Sequence, residues 1–286
     1  MLTYFIRFIE YSIVIGKRCW RSFVSMGDHD IFPLSSHVAF MLLLAIFPFL
    51  LFVSALASFL GNPLMSKQIV FTILQVLPAD VVSTINPAVV ALLDQRNINL
   101  LTFGVLISLW TASSAVEAIR MVLNLAYGGV DNRSVVTKKI ESILIVVIGA
   151  ACLLGISLLL IKGPYLVKSI SNAIELTPRL KTQLKITRWI GASVAVTAGL
   201  FFIHRYLPVN RPRMSQVVGG VFATLMIILI GAGIISYYFG EFNNISTTYG
   251  SFAGVIITLL FFYLTALALG FGAEFNATEP SFKRRN

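Results

Sequence analysis

Six stretches of about 20 apolar residues, nearly free of charge, limit what this chain can fold into more than any other feature. They cover about 38–60, 100–123, 140–161, 189–206, 217–239 and 250–272. Unpaired backbone groups are too costly in hydrocarbon, so a segment that crosses a bilayer must be a helix or a strand of a closed barrel. Runs of roughly 20 residues fit the helix, whereas barrel strands are shorter and alternate. With 57% hydrophobic and 12% charged residues and a mean hydropathy of +0.86, a water-soluble domain of 286 residues could not cover itself with polar surface. The expectation is an all-α, polytopic membrane protein forming one integral domain over 1–286.

The flanking segments carry their own signals. On a helix over residues 5–23, Arg7, Glu10, Tyr11, Lys17, Arg18 and Arg21 fall on one side and Phe5, Phe8, Ile9, Trp20 and Phe23 on the other. Residues 1–37 therefore read as an amphipathic N-terminal segment, set either at the membrane surface or against the other helices. Arg7 and Glu10 interrupt its apolar stretch, which fits a cleaved signal peptide poorly. Pro48 should kink the first span, and Pro78 and Pro87 should divide 65–96 into short helices on the far surface. Residues 273–286 form a tail.

Lys and Arg set the orientation. With both termini cytoplasmic, the inner side holds Arg7, Lys17, Arg18, Arg21, Arg120, Arg133, Lys138, Lys139, Arg205, Arg211, Arg213, Lys283, Arg284 and Arg285, fourteen of the 22 basic residues. Against the rule, Lys162, Lys168, Arg179, Lys181, Lys185 and Arg188 crowd the loop between spans three and four. The net charge of +10 is scattered beside apolar runs, as topology signals are, which speaks against nucleic acid. Cys19 and Cys152 lie in apolar surroundings and cannot make a disulfide framework.

Ionisable groups at membrane depth are where function is sought first. Trp110, Ser113, Glu117, Arg120, Asn124 and Tyr127 recur at helical spacing and form a polar stripe down span two. Glu117 and Arg120, three apart, can pair with each other. The stripe serves either as a hydrogen-bonded seam between helices or as a surface for a polar headgroup or ion. On span six, Tyr263, Gly270 and Glu274 share a face, with Asn276 just beyond, and Glu274 has Arg205 and Arg211 as candidate partners. Gly220 with Thr224, and Gly250 with Gly254, have the spacing that lets helices approach closely. His29, His37 and His204 lack metal-ligand spacing, and no phosphate-binding loop, serine elbow or zinc-protease pattern occurs. No cofactor is expected, and an intramembrane enzyme lacks a recognisable nucleophile and base.

Four segments resemble the YihY/virulence-factor BrkB family of bacterial inner-membrane proteins, once mislabelled as ribonuclease BN. They are AFMLLLAIFPFLLF (39–52), LLTFGVLISLWTASSAVEAIRMVLNLAYGG (100–129), HRYLPVNRPRMSQVVGG (204–220) and YGSFAGVIITLLFFYLTALALGFGAEFNA (249–277). The resemblance implies six membrane helices with cytoplasmic termini, and a link to serum resistance or to export of lipopolysaccharide precursors. Tyr249 opens the last segment and joins the stripe residues, Arg205, Arg211, Tyr263, Glu274 and Asn276 as a candidate headgroup site. The chain departs from the family at Ala115, Val116 and Glu117, where a basic residue is common; this weighs against direct anion contact there. The expected function is transport or flipping of a lipid or other amphiphile, such as an anionic glycolipid or phospholipid, for envelope biogenesis. The alternative is a membrane scaffold for envelope-biogenesis proteins, with protein partners unassigned and homo-oligomers left open.

Overall fold

The computed structural model describes residues 2–58, 63–74, 77, 79–93, 98–170, 178–241 and 252–278. Among them are nine helices: α1 (Leu2–Asp28), α2 (Ile31–Ser58), α3 (Pro63–Leu74), α4 (Ala79–Leu93), α5 (Ile98–Ala126), α6 (Val135–Ile170), α7 (Pro178–Tyr206), α8 (Met214–Glu241) and α9 (Phe252–Ala277). The described residues contain no strand.

Among the described residues, five helices are long and apolar enough to cross a membrane, over Ile31–Leu56, Leu106–Ala126, Val135–Leu158, Met214–Tyr238 and Gly254–Ala277. The outer face of α8 exposes Val218, Phe222, Leu229, Ile230 and Ile234, a stripe that water would penalise and lipid does not. The chain is thus an all-α polytopic membrane protein. The expected fourth span, 189–206, lies within α7, which is not among those five helices; its last turn carries His204 and Arg205.

Several boundaries differ from expectation. The first span starts at Ile31 rather than about residue 38. Asp30, with φ of 51°, makes the turn out of α1, and Pro33 falls in the first turn of α2, where a backbone N–H has no helical acceptor. The helix then continues through Pro48. Pro87 does not divide the segment before span two, because α4 runs through it while Val81, Ile85 and Val89 bury against α2 and α9. These short helices pack on the bundle: Val70 and Leu74 of α3 join the same apolar cluster as Ala39, Leu50 and Phe261. The basic stretch 162–188 is largely helical, since α6 runs twelve residues beyond the apolar part that ends at Leu158. At 1.5 Å per residue α6 is about 54 Å long, well over the roughly 30 Å of hydrocarbon. Finally, α9 reaches Ala277, so Glu274 and Asn276 belong to a helix and not to a tail.

The centre of the bundle is α2 against α5 and α9, with α8 on the other side of α9 and α7 outside α8. Lipid offers no hydrophobic drive for helices to associate, so close packing and polar contacts must hold them. Glycines provide the packing. A Cβ on Gly220 would sit 2.2 Å from the carbonyl oxygen of Gly272, and one on Gly272 would sit 2.1 Å from Thr224 Oγ1. The α8–α9 contact is thus nearly backbone to backbone, as the Gly220 and Thr224 spacing leads one to expect. Gly250 lies outside the described residues.

Candidate functional site

Helices α5, α7 and α9 finish, and α6 and α8 begin, at one end of the bundle, and the polar side chains collect there. Two networks form.

The first is buried. Asn276 Oδ1 accepts from the Gly220 N–H at 2.6 Å, which leaves its Nδ2 to donate to the Tyr127 hydroxyl at 2.9 Å. That hydroxyl in turn lies 3.4 Å from His204 Nδ1. On the other side of the ring, Nε2 is 3.1 Å from Thr224 Oγ1, whose own proton goes to the Ala268 carbonyl at 3.0 Å. Thr224 can therefore only accept from the histidine, which makes His204 an Nε2–H tautomer with Nδ1 accepting from Tyr127. Every group is satisfied with a neutral imidazole, as a fully enclosed site requires. Asn124 extends the clasp by accepting from the Val209 N–H at 2.9 Å, and Asn210 donates to the carbonyls of Tyr127 and Gly128.

The second network joins α5 to the start of α6. Arg120 and Glu117 do not pair with each other, contrary to the spacing argument; each takes its partner from α6. Arg120 donates to the Lys138 carbonyl at 3.2 Å and stands 3.6 Å from Glu141, while Glu117 lies 3.5 Å from Lys139 Nζ. The reason is geometric: the neighbouring helix brings a charge to each, so neither has to bend along its own axis. Glu141 also meets Arg133, which chelates Asp131 at 2.7 and 2.8 Å. Three cations and three carboxylates thus cancel. In the turn between α5 and α6, hydrogen bonds from Arg133 hold the Asp131 carboxyl down at about 2, and the carboxylate raises the guanidinium above its ordinary value.

Glu274 is enclosed, yet Arg205 and Arg211 are not its partners. His29 Nδ1 is 2.5 Å from Glu274 Oε1, and Ser25 adds a hydrogen bond. Nearby, Arg18 donates through Nε and Nη2 to the Phe275 carbonyl, at 2.9 and 2.7 Å, with its guanidinium 4.2 Å above the Phe275 ring. That carbonyl belongs to the last turn of α9, where helix oxygens lack partners and positive charge is favoured. The N-terminal helix is thereby fastened to α9.

The candidate residues are only partly brought together. Ser113, Arg120, Asn124, Tyr127, Glu274 and Asn276 are buried in seams between helices. Trp110 turns outward and is 64% exposed, and Arg211 is also exposed. Tyr263 packs with the apolar cluster around Phe261 and Phe262, eleven residues or about 16 Å along α9 from Glu274. Tyr249 lies outside the described residues. Arg205 is half-buried on the last turn of α7, 5.2 Å from the Tyr206 ring, with Nε and Nη1 shielded and without a hydrogen-bond partner.

Reading the sequence missed His29, His204, Thr224, Lys139 and Glu141 as members of these networks. A histidine and a threonine inside apolar runs were the available signal. The described residues hold no group of three or more His, Cys, Asp or Glu side chains fit for a metal ion.

Comparison with known proteins agrees with this architecture. The chain is 31% identical over 245 residues to the putative ribonuclease-like protein YfkH of Bacillus subtilis (strain 168), covering 85% of this chain and 88% of that one. It is 27% identical over 200 residues to the UPF0761 membrane protein azo3165 of Azoarcus sp. (strain BH72), covering 67% of this chain and 46% of that one. No solved structure matches. A family model described as virulence factor BrkB matches residues 22–285, nearly the whole chain, and the protein belongs to that family of membrane proteins.

Proposed function

We propose that this protein moves or flips an amphiphile, an anionic phospholipid or glycolipid, across the bacterial inner membrane for envelope biogenesis. In this reading it is not an enzyme, and both termini are cytoplasmic. The orientation rests on charge. Lys17, Arg21, Arg133, Lys138, Lys139, Arg205, Arg211 and Arg213 flank the same end of the bundle, and basic residues favour the cytoplasmic side.

One observation carries the choice of an anionic amphiphile. Arg205 sits on the last turn of α7, and two of its guanidinium nitrogens are shielded with nothing to donate to. An unpaired buried donor is costly, and a phosphate oxygen is the acceptor that a lipid leaflet supplies to an arginine. The test is reconstitution in liposomes with reporter lipids. Movement should exceed that in empty liposomes for at least one anionic lipid, and Arg205→Gln should slow it by about tenfold, the worth of one charge-assisted hydrogen bond. Movement no faster than in empty liposomes for every anionic lipid tried, and unaltered by Arg205→Gln, Glu117→Ala or Glu274→Ala, sinks the proposal.

A second reading, a scaffold for envelope-biogenesis proteins, is favoured by α1, which leaves Trp20, Phe23 and Val24 exposed beside its basic face. Crosslinking in native membranes that recovers only this chain counts against it.

A further inference from the structure

On the outer surface of the α5–α6 seam, Lys139 folds its ammonium onto a seat made by α5. Nζ stands 4.3 Å above the Trp110 ring, donates to the Trp110 carbonyl at 3.2 Å and to Ser114 Oγ at 2.9 Å, and faces Glu117 Oε1 at 3.5 Å. An aromatic face, two neutral acceptors and a carboxylate around one point make a receptor for a primary ammonium. The ring and the Glu117 carboxylate attract the charge. The Trp110 carbonyl, which the Ser113 and Ser114 hydroxyls also reach, and Ser114 Oγ accept its N–H bonds.

Two features say that the seat is more than a fastening for Lys139. Glu117 Oε1 is shielded from water yet has no hydrogen bond, so the lysine reaches the carboxylate as a charge and leaves the acceptor free. The seat also opens outward, with Trp110 exposed and Ser114 and Glu117 half-exposed, although these residues lie in a stretch apolar enough to span a bilayer. Charged groups on the lipid-facing side of a span are rare unless something polar meets them. Lys139 lies four residues into α6, about 6 Å from the start of that helix, at the end where the basic residues gather and headgroups are within reach.

The geometry points to a binding site for the amine of a lipid headgroup, with Trp110, Ser114 and Glu117 as its receptor and Lys139 as the internal occupant that the amine replaces. A primary amine, as in phosphatidylethanolamine, can use both hydrogen-bond acceptors as well as the ring and the charge. The quaternary amine of phosphatidylcholine has no N–H to give and can use only the ring and the charge. The inference holds whether or not lipid crosses the bilayer, and it concerns a different place from Arg205.

The full chain, with Trp20→Phe and Trp189→Phe so that Trp110 is the sole indole, is reconstituted into bilayers that contain lipids with brominated chains. Quenching of Trp110 as the mole fraction rises gives the relative affinity of each headgroup at that spot. Phosphatidylethanolamine should outbind phosphatidylcholine and phosphatidylglycerol by about threefold to tenfold, the worth of one or two net hydrogen bonds. Glu117→Gln should abolish that preference. Lys139→Gln, which removes the internal competitor, should enlarge it. The opposite directions separate a binding site from simple damage, which would weaken the preference in both variants. Equal quenching by all three lipids, a preference for phosphatidylglycerol, or a preference that survives Glu117→Gln each overturns the assignment.

Discussion

Tyr127 shows how much one hydroxyl can hold in a site without water. It takes a proton from Asn276 and gives one to His204, so it completes contacts between α5, α7 and α9. Tyr127→Phe should leave an amide N–H and an imidazole nitrogen unpaired and cost about 1–3 kcal/mol, seen as a lower unfolding temperature in detergent. An unchanged midpoint would mean that the network is not clamped as drawn. Asp131 makes a pH-dependent contribution. Its folded value of about 2 is below the ordinary 3.8, so the stabilisation is complete above about pH 4 and fades as pH falls through 2. The stability difference between the wild type and Asp131→Asn should be flat above about pH 4 and shrink on acidification. A difference that grows with acid would reverse the sign and exclude the ion pair with Arg133 as its source. Spacing alone exposed Arg120, Asn124, Tyr127 and Asn276 as polar positions in apolar runs. Their partners were hidden, because His29 and Glu274 are 245 residues apart, and helical periodicity says nothing about contacts of that range.

At the scale of elements, the α8–α9 contact is the most exacting. A Cβ on Gly220 meets a backbone oxygen at 2.2 Å, which no side-chain rotation can relieve, so Gly220→Ala must push the two helices apart. Overpacking of this kind costs about 1–3 kcal/mol, and here it also breaks the Asn276 hydrogen bond. Gly149→Ala on α6 meets nothing within 4 Å and should be neutral or slightly stabilising. Thermal unfolding of the two variants side by side checks the contrast; equal midpoints would show that α8 and α9 are not in close contact. Five of the six spans were legible because lipid imposes a run length. Their ends were not: α2 begins seven residues early and α9 ends five residues late, since packing against neighbours holds Ile31 and Glu274 in helices that composition alone would have closed.

For the whole molecule, the cations gathered at one end are the basis of the proposed orientation, with that end in the cytoplasm. Asn132 is exposed in the α5–α6 turn at that end. With Cys19 and Cys152 replaced, Asn132→Cys should react with a membrane-impermeant maleimide in inverted vesicles and stay unlabelled in intact spheroplasts. The reverse pattern would invert the molecule and place the amine seat at the other leaflet.

The fastening of α1 onto α9 has a consequence for biogenesis. Arg18 and its acceptor at Phe275 are separated by 257 residues, so this fastening cannot form until α9 has been delivered into the bilayer. Until then α1 lacks that anchor and keeps its contacts with α2. A chain halted before α9 would leave Arg18 without this acceptor and α1 more open to proteases.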